Sequence, residues 1–518
     1  MSHKTAQDSS LNLIQTLAEM TSGSLVETHI SWVLLTGQFA YKIKKPVNFG
    51  FLDFSTLEKR HFYCNEELRL NQRLTPDLYL AVIPITGTPD APKLGGEGVA
   101  IEYAVKMIQF PLGQLLSECA QNRQLKTDHI DQLVDIVSHF HDTNAQMEEN
   151  AQFGDSADIR HWFTENFDHI RPLLNRDLQK QQLMDIQQWA NNEWQKLAGL
   201  MQQRKQQGYV RECHGDLHLG NMTLINGKVT VFDCIEFNPM LRWIDIISEV
   251  AFLIIDLLHF AYPQYAYRFL NRYLQHTGDY QGLALLLYYL VYRALVRAKV
   301  ALLHIKQQSD TKQTHCEYAV FADLAEQMTL PRSSILIITH GYSGSGKTTL
   351  SSQLAEKIGA VQIRSDIERK RLFGYRPNEE SGSGINNGLY TQEANLKTYL
   401  HLKELAQGIL EAGFPVIIDA AFLKSAQREL FRRLATDCGV RFHIINCQAS
   451  NEALCQRIKQ RQDDASEATA AVLHRQQQSA QSLSDQEQSA VISINTEKVT
   501  AVENLLDKFN RYLPHKTR

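Results

Sequence analysis

The residues best suited to chemistry in this chain form a glycine-rich loop in its second half. Residues 341–348 read Gly-Tyr-Ser-Gly-Ser-Gly-Lys-Thr and match G-x-x-x-x-G-K-[S/T] at each specified position. In such a loop the backbone N–H groups point at phosphates, the lysine reaches the terminal phosphates and the hydroxyl ligates Mg²⁺. An apolar run before the loop and a helical pattern after it supply the required strand and helix. The pattern predicts a nucleoside triphosphate site formed by Gly341, Ser343, Gly344, Ser345, Gly346, Lys347, Thr348 and Thr349.

A second group of phosphate-handling residues lies more than a hundred positions upstream, at 214–221, and reads His-Gly-Asp-Leu-His-Leu-Gly-Asn. Phosphoryl transfer to a hydroxyl needs a carboxylate that accepts the proton, an amide oxygen on Mg²⁺ and a carboxylate that bridges metal and phosphates. Asp216 is the predicted base, and Asn221 and Asp233 are the predicted Mg²⁺ ligands. A hairpin turning at Asn226-Gly227 is predicted between the two segments.

Two histidines of this segment need separate interpretations. His214 is predicted to pack and orient the loop rather than to react, because a lone histidine is more often structural than catalytic. For His218 two alternatives stay open, a contact with the substrate or a residue that fills the loop.

The elements before this segment offer a lysine and a carboxylate for the same site. A predicted strand places Lys42 and Lys44 on one face, because strand side chains alternate. We predict that Lys42 holds the α- and β-phosphates, with Lys44 as the alternative. A predicted helix over 55–74 carries Glu67, the expected partner of that lysine, and Glu66 is the second choice.

The region from about 26 to 302 resembles the aminoglycoside phosphotransferase-like branch of the protein-kinase fold. The resemblance rests on residues 214–221, on Phe232-Asp-Cys-Ile-Glu236-Phe and on Arg242-Trp-Ile-Asp245. It implies a bilobal α+β domain with a small β-rich lobe over a helical lobe and ATP between them. Members phosphorylate small hydroxylated molecules, so the resemblance implies the reaction but not the acceptor. The sequence departs from protein kinases because it lacks G-x-G-x-x-G and because Cys-Ile-Glu follows Asp233.

The second half resembles the small P-loop kinases, which include polynucleotide, zeta-toxin-like, gluconate and chloramphenicol kinases. The similarity lies in four segments, which are 341–348, 364–370, 416–419 and 457–461. The resemblance implies an α/β P-loop NTPase domain with a mainly parallel sheet.

The same segments suggest individual roles. Asp366 follows the second predicted strand, so it is the candidate base for the acceptor, with a helix N-cap as the alternative. Asp419 ends a buried strand and is expected to hold Mg²⁺ through water. Arg457 and Arg461 lie one helical turn apart and suit a lid that neutralises the transferred phosphoryl group; a solvated basic helix is the alternative.

Length and composition agree with two domains. The chain has 518 residues, of which 43% are hydrophobic, and we predict a boundary near residue 330 that separates 1–330 from 331–518. A net charge of −4 does not favour nucleic acid as a partner, although it leaves room for a local basic groove. Eight cysteines without a C-x-x-C pair, a polar N-terminus and interrupted apolar stretches predict a cytoplasmic protein with no membrane segment.

These observations together predict a bifunctional kinase that uses ATP or GTP with Mg²⁺ and acts on hydroxyls of small molecules. One alternative makes the second half a polynucleotide 5′-hydroxyl kinase. Another makes the first half a regulatory domain that binds a ligand without turnover. The presence of Asp216, Asn221 and Asp233 together argues against the regulatory alternative. Neither the acceptors nor the oligomeric state follow from the sequence.

Overall fold

A computed structural model describes residues 2–50, 52–146, 153–305, 311–377, 379, 389, 391–460, 466, 469–498 and 502–509. The chain divides into two compact units, Met1–Phe163 with Ala198–Leu253 and Thr164–Leu197 with Ile254–Arg518. The second unit therefore contains helices that precede residue 330 as well as the phosphate-binding loop. The boundary near residue 330 stays a prediction.

The first unit begins with a segment of helices and strands, and the strands form one sheet. Its elements are α1 (Ser2–Thr21), β1 (Ser24–Glu27), β2 (Ser31–Leu35), β3 (Phe39–Lys44), α2 (Leu57–Gln72), β4 (Tyr79–Thr88), β5 (Ala91–Leu94) and β6 (Glu102–Ile108). The strands form an antiparallel sheet in the order β1-β2-β3-β6-β4-β5. Strands β2 and β3 form a hairpin, with Leu35 opposite Ala40.

This sheet is packed on both faces, and the alternation of β3 decides which residues face which helix. Ile43 packs with Leu13 and Leu17 of α1 on one face. Ala40 packs on the opposite face with Cys64 of α2. Because side chains two residues apart share a face, Lys42 and Lys44 point to the α2 side with Ala40. The hydrophobic pattern of one strand thus places both lysines beside α2.

The middle of the chain is mainly helical. Its elements are α3 (Leu116–Gln121), α4 (Thr127–Thr143), α5 (Ser156–Ile170), α6 (Asp177–Gln206), β7 (Val210–Glu212), β8 (Met222–Ile225), β9 (Lys228–Val231), β10 (Trp243–Asp245), α7 (Ile246–His259), α8 (Pro263–Thr277), α9 (Leu283–Ile305) and α10 (Thr311–Thr329). β8 and β9 form the predicted antiparallel hairpin. Its turn residues Asn226 and Gly227 have φ of 52° and 76°, as a type I′ turn requires.

The rest of the chain forms an α/β domain. Its elements are β11 (Ile335–His340), α11 (Lys347–Ile358), β12 (Val361–Arg364), α12 (Ser365–Leu372), α13 (Gln392–Glu411), β13 (Val416–Asp419), α14 (Ser425–Asp437), β14 (Arg441–Gln448), α15 (Asn451–Gln460), α16 (Ala470–Ser479), β15 (Val491–Asn495) and α17 (Glu503–Phe509). The strands pair in parallel in the order β12-β13-β11-β14-β15, which confirms the predicted parallel sheet.

The core of this sheet explains the continuous apolar run of β11. Ile335 and Ile337 pack against Leu350 and Leu354 of α11, and all four side chains are buried. Parallel strands covered on both faces read as apolar runs rather than as alternating patterns. Among the helices within the described ranges, none is long and apolar enough to cross a bilayer.

Candidate active sites

Lysine and carboxylate side chains alternate between β3 and α2 in the first unit. The ammonium nitrogen of Lys42 lies 2.8 Å from Glu67 Oε1 and also contacts Asp233. The ammonium nitrogen of Lys44 lies 2.6 Å from Glu67 Oε2 and also contacts Glu236. Glu67 is therefore shared by both lysines, so the structure brings Glu67 together with each of the two lysines considered from the sequence.

The surroundings of the two lysines differ in exposure. The side chain of Lys44 is inaccessible to solvent, and its ammonium group lies 4.9 Å from the centre of the Phe54 ring. Lys42 instead contacts Asp233, whose side chain is 37% exposed. Of the two, Lys42 is the lysine that borders an open surface, so the geometry favours Lys42 for phosphate contact and a structural role for Lys44.

The neighbouring charges determine which of these buried side chains are ionised. Burial opposes the ionised form of Glu67, but Lys42 and Lys44 outweigh burial and lower the pKa of Glu67 to about 2. Burial likewise opposes the charge on Lys42, but Asp233 and Glu67 raise its pKa well above the usual value. Burial raises the pKa of Glu236 even though Lys44 pairs with it. The site therefore holds the lysines as cations against a carboxylate that stays ionised at neutral pH.

The predicted base and one predicted metal ligand lie in direct contact. The amide nitrogen of Asn221 donates to Asp216 Oδ2 at 2.9 Å and to the Asp216 carbonyl at 3.0 Å. His218 Nδ1 accepts the Gly220 N–H at 3.0 Å, so the ring proton is on Nε2, which lies 3.3 Å from Asp216 Oδ2. The His218 ring also packs edge-on to Phe252. Asp216 Oδ2 is thus held by two donors, while the other carboxylate oxygen makes neither of these contacts.

His214 joins the loop of Asp216 to the strand that leads to Asp233. Its Nδ1 accepts the backbone N–H of Asp216 at 3.2 Å, and its Nε2 lies 2.8 Å from the Phe232 carbonyl. Because Nδ1 accepts, Nε2 carries the proton and donates it to the carbonyl. Burial lowers the pKa of His214, which keeps the ring neutral. One imidazole therefore ties together the backbone beside the predicted base and the backbone beside the predicted metal carboxylate.

Asp233 itself has an uncommon backbone conformation. Its φ is +68°, in the left-handed region that few non-glycine residues adopt. Its N–H donates to the Tyr79 hydroxyl at 3.2 Å, and the N–H of Cys234 donates to Asn71 Oδ1 at 3.0 Å. These contacts hold a turn at the end of the β9 segment that brings the Asp233 carboxylate to Lys42.

Sequence reasoning missed two buried carboxylates that support this site. Glu249 of α7 accepts the Gly215 N–H at 2.7 Å and contacts His141 Nε2 at 2.8 Å. Burial opposes its ionisation, but the hydrogen bond and charge of His141 leave the pKa of Glu249 lowered. The available signal was the pair of acidic residues, Glu249 and Asp256, in the otherwise apolar sequence of α7, of which Glu249 is the one in this site. Glu236, the partner of Lys44, was quoted for the family resemblance but received no role.

In the second unit the glycines of the phosphate loop are required by their surroundings. Gly341 has φ +144°, and a Cβ there would lie 2.6 Å from the Cys447 carbonyl oxygen. Gly344 has φ +82°, and a Cβ there would lie 2.7 Å from the Leu454 carbonyl oxygen. Both contacts are with backbone atoms, which cannot move aside as a flexible side chain can. The loop is thus held closely between β14 and α15.

The charged residues of the loop lie at the carboxyl end of the sheet. The ammonium group of Lys347 donates to the Tyr342 carbonyl at 2.8 Å. The Thr348 hydroxyl lies close enough to Asp419, the last residue of β13, to favour the ionised form of its carboxyl group. Burial raises the pKa of Asp419, although Arg364, 3.9 Å away, and Thr348 oppose the rise. A hydroxyl and a buried carboxylate oxygen therefore lie together, and oxygen ligands of this type suit Mg²⁺.

A cavity of about 1280 Å³ surrounds this cluster. Most of the residues predicted from the sequence line it: Ser343, Gly344, Gly346, Lys347, Thr348, Thr349, Asp366, Asp419 and Arg457. Gly341 and Ser345 are not among the lining residues, and Ser345 is buried beneath the loop. The cavity therefore joins the phosphate loop to the proposed acceptor base.

The contacts of Arg457 and the position of Asp366 bear on two further predictions from the sequence. Arg457 donates to Thr496 Oγ1 and to the Thr496 carbonyl, each at 3.0 Å, and to the Gly344 carbonyl at 3.3 Å. It is therefore attached to the phosphate loop, while Arg461 lies outside the described residues. Asp366 is the second residue of α12, whose N-cap is Arg364, so the alternative of Asp366 as an N-cap is wrong.

Family models match two separate parts of the chain. Residues 80–286 match the model of the phosphotransferase enzyme family, and residues 336–483 match a model described as an AAA domain. The chain joins a phosphotransferase-family domain to a P-loop domain. The predicted resemblances of the two halves are thereby confirmed.

Individual relatives give less information than the family models. An uncharacterised protein of Mycobacterium tuberculosis is 28% identical over 450 residues, which cover 86% of this chain and 88% of that protein. A choline/ethanolamine kinase family protein from Mesorhizobium loti is 9% identical, covers 60% of this chain and 94% of its own, and has a TM-score of 0.39. A gluconokinase from Sinorhizobium meliloti is 18% identical, covers 35% of this chain and 95% of its own, and has a TM-score of 0.26.

Proposed function

We propose that this chain is a bifunctional phosphotransferase in which each domain transfers the γ-phosphate of ATP to a hydroxyl of a small molecule, with Mg²⁺ as cofactor. The observation that supports this most directly is the double contact of His214. That side chain holds the backbone of Asp216 and the backbone before Asp233 in one arrangement. A base and a metal carboxylate on neighbouring segments are what hydroxyl phosphorylation requires.

In the phosphotransferase-family domain, Asp216 accepts the proton of the acceptor hydroxyl as its oxygen attacks the γ-phosphorus. The bond between that phosphorus and the bridging oxygen breaks, and ADP leaves with the electron pair. His218 and Asn221 donate to Asp216 Oδ2 and thereby orient the carboxylate that accepts the proton. Lys42 contacts the phosphates of ATP. Asn221 Oδ1 and Asp233 would hold Mg²⁺, which supplies neutralisation of the phosphate charge when bound.

In the P-loop domain, the corresponding groups line one cavity. Lys347 and Arg457 bind and neutralise the terminal phosphates, and Asp366 accepts the proton of the acceptor hydroxyl. Thr348 and Asp419 would hold Mg²⁺, which supplies the same charge neutralisation as in the other domain. Arg364 and Arg369 also line the cavity and add positive charge near Asp366. We propose small molecules as acceptors at both sites and the cytoplasm as the compartment.

The test is transfer of label from γ-labelled ATP into a cell extract that is then separated into metabolite and RNA fractions. The full-length protein is compared with Asp216→Asn and Lys347→Ala. The matched controls are Asp77→Asn, an exposed aspartate of the first unit, and Lys357→Ala, at the far end of α11 from the loop. We expect each active-site variant to lose a different labelled metabolite, by at least about 100-fold for Asp216→Asn.

Two results would contradict the proposal. If Lys347→Ala abolishes all labelling and Asp216→Asn changes nothing, the phosphotransferase-family domain is not catalytic. If the product that depends on Lys347 is in the RNA fraction, the acceptor of the P-loop domain is a polynucleotide and not a small molecule.

A further inference from the structure

The sheet of the P-loop domain has an edge strand, β12, whose outer backbone is covered by helix α8. The side chain of Asn271 donates from Nδ2 to the Ala360 carbonyl at 2.9 Å and accepts the Gln362 N–H on Oδ1 at 2.6 Å. One side-chain amide thus binds the edge as a neighbouring strand would. Asn271 is 5% exposed, so water does not compete for these hydrogen bonds. Asn271 lies within the phosphotransferase-family match, not within the P-loop match.

A first set of contacts connects this helix to the phosphate loop. Gln275 of α8 donates to Gln362 Oε1 at 3.1 Å. Gln362, which is 1% exposed, donates from Nε2 to Ser351 Oγ at 2.7 Å and to the Thr348 carbonyl at 3.5 Å. Ser351 and Thr348 belong to the first turns of α11, which carry the phosphate-binding groups. Gln275 is therefore separated from the loop residue Thr348 by one side chain.

A second set of contacts connects the same segment to the proposed acceptor base. The hydroxyl of Tyr280, in a 3₁₀ turn that follows α8, donates to Glu368 Oε1 at 3.1 Å. Glu368 also pairs with Arg371, which donates to the Gln275 carbonyl. Glu368 lies two residues after Asp366 on α12 and is buried, so these contacts fix the helix that presents Asp366.

We propose that residues 263–282, named here the docking segment, position the phosphate loop and Asp366 of the P-loop domain. The docking surface on the P-loop domain consists of β12 and the facing sides of α11 and α12, and its partner is this segment of the same chain. In this arrangement the phosphotransferase-family part supplies positioning residues for the second site, and Gln275 and Tyr280 act through Gln362 and Glu368 without touching substrate.

The first test is amide hydrogen exchange of the full-length protein, with Gln275→Ala and Tyr280→Phe as variants. Gln264→Ala is the matched control, because Gln264 lies on the same helix with an exposed side chain. We expect Gln275→Ala to speed exchange in 347–352 and Tyr280→Phe to speed exchange in 365–372. The expected factor is about three to ten, which corresponds to the loss of one net hydrogen bond. Strand β15, at the far edge of the sheet, should exchange as in the wild type.

Uniform acceleration in all five strands would overturn the proposal, because the docking segment would then only stabilise the domain. Unchanged exchange in both 347–352 and 365–372 would overturn it as well. This measurement requires no activity, so it stays decisive if the proposed phosphotransfer is not observed.

The second test separates binding from turnover in the reaction that depends on Lys347. We expect Gln275→Ala to raise the KM for ATP by about threefold to tenfold, since it acts behind the phosphate loop. Tyr280→Phe should lower kcat by a similar factor and leave the KM for ATP within about twofold. Wild-type constants for both variants would contradict a positioning role, whatever their melting temperatures.

Discussion

The substitution Glu67→Gln tests the buried charges of the phosphotransferase-family domain most sharply. It removes the carboxylate that Lys42 and Lys44 share and keeps the size of the side chain. The pKa of Glu67 falls from 4.5 to about 2 on folding. At about 1.4 kcal/mol per pKa unit, this difference corresponds to about 3 kcal/mol of stability at neutral pH. Loss of one partner from a buried ion pair costs about 3–5 kcal/mol in other proteins, which agrees with this figure.

The neighbouring Glu66→Gln is the matched control. Glu66 pairs with Arg69, whose side chain is 48% exposed, and lies 3.5 Å from Arg242, which keeps Glu212 as a partner at 3.1 Å. Its loss should therefore cost about 1 kcal/mol or less. The assay is urea unfolding of the full-length protein followed by tryptophan fluorescence. Of the five tryptophans, those at 32, 162 and 243 lie in the first unit with Glu67, and those at 189 and 194 lie in the second. Unfolding of the first unit therefore contributes to the fluorescence signal. If Glu67→Gln and Glu66→Gln lower the free energy of unfolding by similar amounts, the assignment of Glu67 as the shared buried partner is refuted.

The pH dependence of the same difference gives an independent check. The folded pKa of Glu67 lies below its unfolded value, so the unfolded chain binds the proton first as the pH falls. The stabilisation by ionised Glu67 is therefore complete above about pH 4.5 and is lost as the pH falls towards about 2. We expect the difference in the free energy of unfolding between wild type and Glu67→Gln to be constant from pH 8 to 6 and to shrink below pH 4.5. A difference that grows on acidification would contradict the assignment.

Three further predictions follow from single contacts. Lys42→Met should lower the kcat of the phosphotransferase-family domain and raise its KM for ATP, whereas Lys44→Met should lower stability by about 3 kcal/mol. Both variants are measured in a protein that also carries Lys347→Ala, and equal effects on the KM for ATP would contradict the distinction between the two lysines. Gly359→Ala should lower the free energy of unfolding by about 2–3 kcal/mol, because φ is +70° and the new Cβ would lie 2.8 Å from the Tyr267 ring. The control Gly439→Ala, with φ +65° and open space around the new Cβ, should lower it by about 1 kcal/mol, and both are measured by thermal unfolding. Arg457→Ala should lower kcat of the P-loop domain by about 100-fold, and Arg457→Lys should restore part of the loss; wild-type kinetics in both would show that Arg457 is structural.

The parts of the fold that sequence predicts well are those with a local cause. The phosphate loop needs glycines at fixed spacing between a strand and a helix, so eight residues define it. The β8–β9 hairpin follows from Asn226-Gly227, whose φ values favour one turn type. The apolar run of β11 is typical of a strand in a parallel sheet, which the resemblance to the small P-loop kinases implies.

The remaining features depend on contacts between distant residues. Both Lys42 and Lys44 lie on one strand face, and only the positions of Asp233 and Glu236, about 190 residues later, distinguish them. Glu249 receives its role from Gly215 and His141, which no local pattern connects to it. The docking of α8 depends on one asparagine and two glutamines, residue types that are usually solvent-exposed. Sequence reasoning therefore named candidates for the reacting groups, which stay predictions, and missed Glu249 and the contacts of α8, which depend on distant residues.

The cover that Asn271 places over β12 has a consequence for how this chain can be divided. A protein cut at residue 331 would keep the whole P-loop match but lose the amide that binds Ala360 and Gln362. The exposed edge would then offer its backbone groups to the same edge of a second copy, which is a common route to aggregation. The P-loop match alone therefore lacks the group that covers its edge strand, and a protein limited to residues 331–518 is expected to aggregate more readily than the whole chain.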